Sequence, residues 1–435
     1  MIKKKIILIL SIISLSILSI FLILKVTFEK NVFGIQSKIY LKYPNLKKEF
    51  TQNLFSKNSV IENLKNDYNF KFLPETQFVS LDLYSKTLIF SEKFEKNHSK
   101  KKELGGYKNR YKSFYIDQNE DNIFITDYLG GTYTFKKKKL DKHSKKENIV
   151  LTPIINNLKT TRVLDTLIHN QILYVSYIGG DDNCNKMTIA KSKLDQLPSN
   201  LNFQNIFQSS ECGSYIQAGR MVMNKKDKDN TLLFSTSDQF PDNLINKPQE
   251  DDSIFGKILA LNLIDNSFTI YSKGHRNIQG LFSNNEVIIA TEHGPKGGDE
   301  INNILKGTNY GWPVASYGEK YGSSSDDEEN FYLKDHESNG FKEPIYAFIP
   351  SIGISEIIKL SNNFSKKFEN NFILTSLYGR NIFRIKFDKS FNKILFFEKI
   401  YIGQRIRDIK YIDSLSILVF AFEENGDIGI IKINE

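Results

Sequence analysis

The chain has 435 residues, of which 40% are hydrophobic and 13% aromatic. This length allows one large domain or two ordinary ones, and the hydrophobic content is compatible with a well-filled core. The net charge is +9, but lysines cluster in polar, turn-like stretches such as residues 136–139. Because no nucleic-acid-binding motif accompanies them, we expect solvated loops and no nucleic-acid partner.

The first 25 residues predict a membrane anchor. Three lysines at positions 3–5 precede an uncharged, mostly apolar run over residues 6–24. A run of this length is about enough to cross a bilayer as a helix, and the lysines favour a cytoplasmic N-terminus. No small-residue cleavage site follows before Phe28. We therefore expect residues 1–25 to be an uncleaved, single-pass transmembrane helix in the inner (cytoplasmic) membrane, with the main domain in the periplasm or exterior.

Residues 26–73 carry Pro44 and a polar amphipathic stretch. Its apolar positions predict one or two short helices. We interpret this segment as a stalk or a packing appendage of the following domain.

The chain contains two cysteines, Cys184 and Cys212. An even number of cysteines in an exported domain permits a disulfide. Sequence alone does not show that the two lie within bonding reach, so two free thiols remain the alternative.

From about residue 74 the chain consists of short β-rich runs separated by turn residues. One unit recurs six times: an apolar alternating run, a polar turn, a second β run and a glycine-rich or polar end. The copies begin at Lys112, Thr161, Ala218, Arg276, Ile354 and Arg405. Their spacing of roughly 50–60 residues, with one longer gap, is typical of propeller blades. We predict an all-β fold, a six-bladed β-propeller of four-stranded antiparallel blades over residues 74–435. A β-sandwich with an accessory domain is the alternative.

Residues 291–313, TEHGPKGGDEINNILKGTNYGWP, hold five glycines, two prolines and the only tryptophan of the chain. Glycine serves where the backbone takes a positive φ or approaches another group closely, and proline removes a hydrogen-bond donor. Such a segment is a poor strand or helix. It predicts a loop shaped around a ligand.

This loop and four other segments resemble the soluble pyrroloquinoline-quinone (PQQ)-dependent glucose and aldose sugar dehydrogenases, a family of six-bladed propellers. The other segments are GHRNIQGLF (274–282), QAGRMVM (217–223), SLYGRNIFRIKFD (376–388) and RIRDI (405–409). The resemblance covers roughly residues 112–435. It implies oxidation of an aldose at the anomeric carbon to a lactone, with PQQ as hydride acceptor, a calcium ion on the quinone and a respiratory electron acceptor.

The resemblance also implies a set of metal ligands. The backbone carbonyls of Gly294 and Pro295 would hold the calcium ion, a hard cation that backbone oxygens suit well. Glu300 and Tyr310 match positions that hold a second, structural calcium in some relatives.

Four residues match positions beside the cofactor. Arg276 and Asn277 would lie next to the quinone carbonyl, where a guanidinium can polarise the developing oxyanion. Arg405 and Arg407 would bind the carboxylates of the cofactor, since the planar guanidinium suits bidentate carboxylate binding.

Several positions depart from the family pattern. Ile216 stands where the family has its general-base histidine, although Asp238 occupies the position of the acid that orients this histidine. Tyr378 replaces a quinone-binding lysine, a charge that Arg380 would supply only after a rearrangement of the loop. Loss of a general base typically slows a reaction about 10²–10⁴-fold. Among the six histidines of the chain, His336 is the one candidate to replace it, since its long insertion would allow it to reach the site.

Three hypotheses follow for the function. The first is a membrane-anchored, outward-facing, PQQ-dependent aldose sugar dehydrogenase. The second is a catalytically silent propeller that binds a saccharide or a protein partner at the cell envelope. The third is a metal-dependent lactonase, which would need several carboxylates around one ion, whereas the side chains nearest the motif loops are mostly arginines.

Overall fold

Six β-sheets, each with a core of four antiparallel strands, make up most of the described part of the chain. The computed structural model describes residues 80–89, 113–140, 148–181, 183–194, 200–213, 216–226, 230–238, 246–321 and 332–434. The predicted membrane helix and stalk lie outside these ranges. Within them, no helix combines the length and the apolar character that crossing a bilayer requires.

The first fourteen strands run from the start of the described residues to the middle of the chain. They are Ser80–Lys86 (β1), Leu88–Ile89 (β2), Phe114–Gln118 (β3), Asn122–Asp127 (β4), Thr132–Lys136 (β5), Ile149–Val150 (β6), Thr152–Asn156 (β7), Arg162–His169 (β8), Ile172–Asp181 (β9), Cys184–Lys193 (β10), Asn200–Leu201 (β11), Gln204–Gln208 (β12), Met221–Met223 (β13) and Thr231–Ser235 (β14).

The second fourteen complete the chain. They are Lys257–Asn262 (β15), Phe268–Lys273 (β16), Ile278–Ser283 (β17), Ile288–Glu292 (β18), Asp299–Asn303 (β19), Thr308–Asn309 (β20), Tyr346–Phe348 (β21), Ile354–Lys359 (β22), Phe372–Ser376 (β23), Asn381–Phe387 (β24), Ile394–Tyr401 (β25), Ile406–Ile412 (β26), Ile417–Phe422 (β27) and Ile428–Asn434 (β28). In the described ranges five single 3-10 turns accompany them: Lys137–Lys139, Lys247–Gln249, Glu337–Asn339, Lys366–Phe368 and Asp413–Leu415.

The sheets are the six blades of a propeller, as the repeats predict. Blades 1 to 5 contain β3-β4-β5-β7, β8-β9-β10-β12, β13-β14-β15-β16, β17-β18-β19-β21 and β22-β23-β24-β25, and blade 6 contains β26-β27-β28 with β1. The short strands β11 and β20 extend blades 1 and 3 at their outer edges, and β2 pairs with β6. Each repeat identified in the sequence begins within three residues of the innermost strand of its blade.

The innermost strands form a closed ring. Each of β3, β8, β13, β17, β22 and β26 contacts the innermost strands of the two neighbouring blades. The N-terminal strand β1 pairs with the C-terminal strand β28 in antiparallel register, from Ser80 opposite Asn434 to Lys86 opposite Ile428. This pairing ties the two ends of the propeller together in one blade.

Apolar side chains of neighbouring blades pack together, because a four-stranded sheet cannot bury both of its faces alone. Described core clusters fill the interfaces between blades 6 and 1, 1 and 2, 2 and 3, 3 and 4, and 4 and 5. At the interface of blades 2 and 3, for example, Leu164 and Ile189 belong to the same buried cluster as Met221 and Phe234.

Buried carboxylates join the innermost strands across blade boundaries. Each accepts a hydrogen bond from a backbone N–H of the next blade, since a buried backbone donor needs a partner. The pairs are Asp117 with Ile168, Asp165 with Met221, and Asp408 with Ile116, all at 2.8 Å.

One guanidinium pairs with two of these carboxylates, Asp165 and Asp408, and with a third, Glu356. Arg220 Nη1 lies 3.0 Å from Asp165 Oδ1, 3.0 Å from Glu356 Oε2 and 3.4 Å from Asp408 Oδ1. Its Nη2 donates to the carbonyl oxygen of Arg407 at 2.7 Å. Burial raises the pKa of Glu356 to about 7 even though Arg220 opposes the shift. The network holds blades 2, 3, 5 and 6 in a fixed relation and positions the backbone of Arg407.

The structure settles two open points of the sequence. Cys184 and Cys212 form a disulfide, which links the start of β10 to the segment after β12 in blade 2. The lysines at positions 136–139 are mostly exposed, in line with the expected solvated loop.

Candidate functional site

A cavity of about 150 Å³ lies beside the ring of innermost strands. Its lining consists of Arg162, Gln217, Asn277, Gln279, His293, Gly353, Leu377, Tyr378, Arg405 and Arg407. Most of these residues lie at or next to the start of an innermost strand, or just after the end of the strand paired with it, and Gln217 lies four residues before β13. In an antiparallel pair these two ends meet at the same edge, so side chains from blades 2 to 6 converge there. We call this space the central cavity.

The central cavity is cationic. It is lined by three arginines, and no carboxylate lines it among the described residues. Arg405 and Arg407 share one acidic partner beneath the surface: the Glu423 carboxylate lies 3.1 Å from Arg407 Nη2 and 3.3 Å from Arg405 Nη2. Two guanidinium groups therefore face the cavity with a single compensating charge, an arrangement that suits an anion.

A chain of hydrogen bonds orients the amides on one wall of the central cavity. Arg407 Nη1 donates to Gln279 Oε1 at 2.9 Å, and Gln279 Nε2 donates to Asn277 Oδ1 at 2.7 Å. Asn277 Nδ2 in turn donates to Gln217 Oε1 at 3.1 Å. Because Arg has donors only, the direction of the whole chain is fixed from Arg407. Asn277 is thus held in one orientation beside the cavity.

Tyr378 lies at the edge of the central cavity and is 56% exposed. It offers an aromatic face where the family resemblance calls for a lysine. Arg380, the candidate for the missing charge, donates to the Gly403 carbonyl at 3.2 Å and pairs with Glu424. It does not line the cavity, so the loop does not bring its charge there.

The predicted calcium loop follows β18. Its tight path requires glycine at Gly298, where φ is +69° and a Cβ atom would collide with the backbone of Gly318. Within this loop, Arg276 Nη1 donates to the carbonyl oxygens of His293 at 3.1 Å and Gly294 at 2.9 Å. The carbonyl oxygen of Pro295 accepts from the Tyr321 hydroxyl at 3.0 Å.

These contacts test whether the loop suits a calcium ion. Backbone carbonyls are the right kind of ligand for a hard cation, and Gly294 and Pro295 are adjacent. Both oxygens already have a side-chain donor, however, and one of the donors is a cation. A calcium ion bound by both carbonyls would therefore replace Arg276 on Gly294.

A second, much smaller space of about 10 Å³ lies behind this loop. It is lined by Glu292, Glu300, Tyr310 and His336, among others, and it also receives Arg276. Burial, reinforced by Glu292, raises the pKa of Glu300 well above its usual value. The Tyr310 hydroxyl donates to the carbonyl of Asn303 at 2.6 Å. The structure brings Glu300 and Tyr310 to one place, but the described residues contain no group of three or more His, Cys, Asp or Glu side chains suited to a metal ion.

The two positions of the expected catalytic dyad lie outside the central cavity. Ile216 is 4% exposed and packs in the core between blades 2 and 3, with Leu164 as a neighbour in the cluster. Asp238 is equally buried, and its Oδ2 accepts from Trp312 Nε1 at 2.9 Å. The carboxylate thus orients an indole in place of an imidazole.

His293 is the histidine that lines the central cavity among the described residues. Its Nε2 donates to the carbonyl of Ile354 at 2.6 Å, which leaves Nδ1 as the acceptor nitrogen of the ring. Burial, aided by the charges of Arg276 and Arg407, lowers its pKa to about 4. His336, the histidine singled out in the sequence, is 1% exposed and lines the small space instead.

Sequence reasoning identified four of the lining residues, Asn277, Tyr378, Arg405 and Arg407. It missed Gln217, Gln279 and His293 as lining residues, although each lies inside a quoted motif. It also missed Arg162, which lies in the second repeat at the start of β8 and outside every motif. A charged residue at the first position of an innermost strand is the signal that would have found it.

The central cavity fits an anionic cofactor with several carboxylates, such as PQQ. Three guanidinium groups line it, and Arg162 Nε is buried without a hydrogen-bond partner among the described residues. Fixed amide groups lie alongside. This donor set is the one that planar carboxylates require.

Comparisons with known proteins agree with this arrangement. An aldose sugar dehydrogenase of Escherichia coli is 29% identical over 163 residues, which cover 37% of this chain and 42% of the relative. An uncharacterized protein of Synechocystis is 28% identical over 295 residues, covering 61% of this chain and 69% of that protein. The PQQ-bound aldose sugar dehydrogenase of Streptomyces coelicolor has a similar fold, with a TM-score of 0.56 at 16% identity over 82% of this chain and 99% of that one.

The match to a family model is broader than either sequence relative. The model of the glucose/sorbosone dehydrogenases matches residues 119–430, which span blades 1 to 6 and every residue of the central cavity. The cavity, the blade architecture and this match lead to one conclusion: the chain belongs to the glucose/sorbosone dehydrogenase family.

Proposed function

We propose that the chain is a PQQ-dependent oxidoreductase of the aldose sugar dehydrogenase type, with its cofactor in the central cavity. The observation that carries the proposal is the cavity itself: three arginines line it and no carboxylate does among the described residues. Membership of the sugar dehydrogenase family and the PQQ-bound form of the Streptomyces coelicolor neighbour support it.

Different residues of the central cavity bind different groups of the cofactor. Arg405 and Arg407 bind carboxylates, and Glu423 keeps both guanidinium groups in place. Asn277, fixed by Gln279 and Gln217, presents its amide beside the cofactor. When bound, PQQ supplies a two-electron acceptor for the hydride that leaves the anomeric carbon of the sugar.

A calcium ion on the carbonyl oxygens of Gly294 and Pro295 is part of the proposal. Its support is the hard-oxygen character of the two ligands and the tight glycine-rich path of the loop. An ion bound by both carbonyls would take the place of the Arg276 guanidinium on the Gly294 oxygen. Arg276 would then be available to stabilise negative charge on the quinone oxygens.

Removal of the hydroxyl proton of the sugar is the step for which the site lacks an effective base. Ile216 cannot accept a proton, and Asp238 is engaged by Trp312. His293 has a free acceptor nitrogen, but a pKa of about 4 makes it a poor base at neutral pH. We therefore expect turnover about 10²–10⁴-fold below that of a relative with a histidine base.

Membrane attachment completes the proposal. The apolar run over residues 6–24 would anchor the chain in the inner membrane with the propeller outside, close to a respiratory electron acceptor. The Cys184–Cys212 disulfide supports an oxidising compartment.

Reconstitution tests the proposal. The purified chain is loaded with PQQ and calcium, and dye reduction is followed with a panel of aldoses. We expect slow, sugar-dependent reduction of the dye. If no sugar of the panel gives turnover, the chain is not an aldose sugar dehydrogenase. A sample loaded with PQQ in the presence of a calcium chelator reports whether the ion is required.

A silent propeller is the second candidate, and the burial of Ile216 and the Trp312–Asp238 bond favour it. In this case the central cavity would bind a saccharide or a protein partner at the cell envelope without oxidising it. Calorimetry separates the two candidates: saccharide binding without PQQ binding favours the silent propeller.

A further inference from the structure

Arg162 is a cavity arginine that no family motif includes. It is the first residue of β8, the innermost strand of blade 2, and lines the central cavity together with Arg405 and Arg407 of blade 6. Blade 1 separates these two blades. The positive charge therefore reaches the cavity from two sides of blade 1.

The guanidinium of Arg162 is incompletely satisfied. Its Nε is buried and has no hydrogen-bond partner among the described residues. Its Cζ lies over the Tyr128 ring, 5.4 Å from the ring centroid, a contact that uses none of its N–H donors in a hydrogen bond. An unpaired buried donor normally destabilises a protein, so its presence needs an explanation.

Arg162 and Arg407 act on the same region of blade 1. Burial raises the pKa of the Tyr115 hydroxyl, and the charges of Arg220, Arg407 and Arg162 oppose this shift. Arg220 is occupied by Asp165, Glu356 and Asp408, and Arg407 is paired with Glu423. Among the described residues, no carboxylate lies within 4.0 Å of Arg162.

We propose that Arg162 is a binding residue for a carboxylate of the cavity ligand and supplies, from blade 2, the charge that blade 5 lacks. Tyr378 leaves the blade 5 side without a cation, and Arg380 is held by Glu424 away from the cavity. The ligand class is an anion with at least two carboxylates, one for Arg405 and Arg407 and one for Arg162. The identification of the ligand as PQQ rests on the proposed function, whereas the anionic class of the ligand rests on the three arginines of the cavity.

Binding of PQQ and of its trimethyl ester tests the role of Arg162. The ester keeps the ring system and lacks the carboxylate charges. Calorimetric titrations compare the wild-type chain with Arg162→Gln, with Arg162→Lys and with a matched control, Lys193→Gln. Lys193 is exposed at the far end of blade 2, opposite Ile172. Its replacement by glutamine changes the net charge by the same amount as Arg162→Gln.

We expect Arg162→Gln to weaken PQQ binding at least tenfold and ester binding less than twofold. The PQQ affinity of Arg162→Lys should lie between that of Arg162→Gln and that of the wild type. A lysine keeps the positive charge but lacks the planar guanidinium that binds a carboxylate with two hydrogen bonds. Lys193→Gln should bind PQQ like the wild type. Equal PQQ affinity in wild type and Arg162→Gln would overturn the inference and leave the proposed function intact.

A second measurement separates failure of the inference from failure of the proposed function. Citrate, a tricarboxylate, should raise the unfolding temperature of the wild-type chain more than that of Arg162→Gln. If PQQ does not bind the wild type but this difference persists, the site binds polycarboxylates and the PQQ proposal is wrong. If citrate protects both chains equally and PQQ does not bind, the inference is wrong as well.

Folding of the variant has its own readout. Because Arg162 Nε has no hydrogen-bond partner to lose and only the contact with the Tyr128 ring is removed, Arg162→Gln should unfold without ligand close to the wild-type temperature. A clear loss of stability without ligand would mean that Arg162 is a structural residue and would contradict the inference.

Discussion

Arg276 Nη1 donates a hydrogen bond to the carbonyl oxygen of Gly294 at 2.9 Å. A guanidinium thus occupies the oxygen that the sequence assigns to calcium. Its Nε is buried without a partner among the described residues, and its Cζ lies 5.4 Å from the centre of the Trp312 ring. The loop therefore holds a cation of the chain itself, which a metal ion on this oxygen would displace.

The Arg276–Gly294 contact predicts weak calcium binding in the absence of quinone. Repulsion between two unit charges about 4 Å apart reaches about 4 kcal/mol near a protein surface, and calcium carries two charges. Arg276→Met should therefore raise the calcium affinity of the quinone-free chain at least fivefold in a calorimetric titration. Lys296→Gln, which removes an exposed charge from the same loop, serves as the control. Unchanged affinity in Arg276→Met would show that the guanidinium does not compete with the ion.

Replacement of Ile216 by histidine should not create an active enzyme. Ile216 lies in the apolar core between blades 2 and 3, and Asp238 is bonded to Trp312. A histidine at this position is buried without a partner and should destabilise the chain by about 1–3 kcal/mol, whereas Ile216→Leu should cost less than about 1.5 kcal/mol. Urea unfolding and dye-linked turnover measure the two effects. A hundredfold gain in turnover for Ile216→His would contradict the packing described above.

His293 makes stability depend on pH. Its pKa is about 4 in the folded chain, below the ordinary value of 6.5, so the unfolded chain binds a proton more readily. The stabilisation is present above pH 6.5 and is lost as the pH falls towards 4. In His293→Gln, the loss of unfolding free energy between pH 7 and pH 4 should be smaller than in wild type by about 1–3 kcal/mol. Identical pH profiles in urea unfolding would show that the folded chain does not hold His293 neutral.

The Cys184–Cys212 disulfide should contribute substantially to stability. It spans 28 residues, and the loop-entropy relation for this length gives about 3–4 kcal/mol. Cys184→Ala/Cys212→Ala should lower the free energy of unfolding by that order without changing PQQ affinity, because neither cysteine lines the central cavity. If the double variant has the same free energy of unfolding as the wild type, the disulfide does not stabilise the folded chain.

The fold was predictable because it is repetitive. Alternation and turn residues recur at regular intervals, and the innermost strands begin where the repeats indicate, as with Thr161 before β8 and Arg405 before β26. The pairing of β1 with β28 was not predictable, since a strand at residue 80 carries no mark of its partner at residue 434. Nor was the disulfide, because contact between two cysteines depends on the register of blade 2.

The candidate site was predictable only where a motif covers it. Asn277, Arg405 and Arg407 lie in motifs and meet in one cavity. Arg162 lies in none, and its significance depends on blade 2 facing blade 6 across blade 1. The engagement of Asp238 by Trp312 was also hidden, because 74 residues separate the two and either could have had another partner.

Equilibrium titration of PQQ into the wild-type chain, at low and at high salt, tests whether the central cavity binds this cofactor. We predict saturable one-to-one binding whose affinity falls as salt is added, because arginine–carboxylate contacts are screened by ions. An absence of saturable binding up to about 1 mM PQQ, where a complex would be worth only about 4 kcal/mol, would show that the cavity is not a PQQ site.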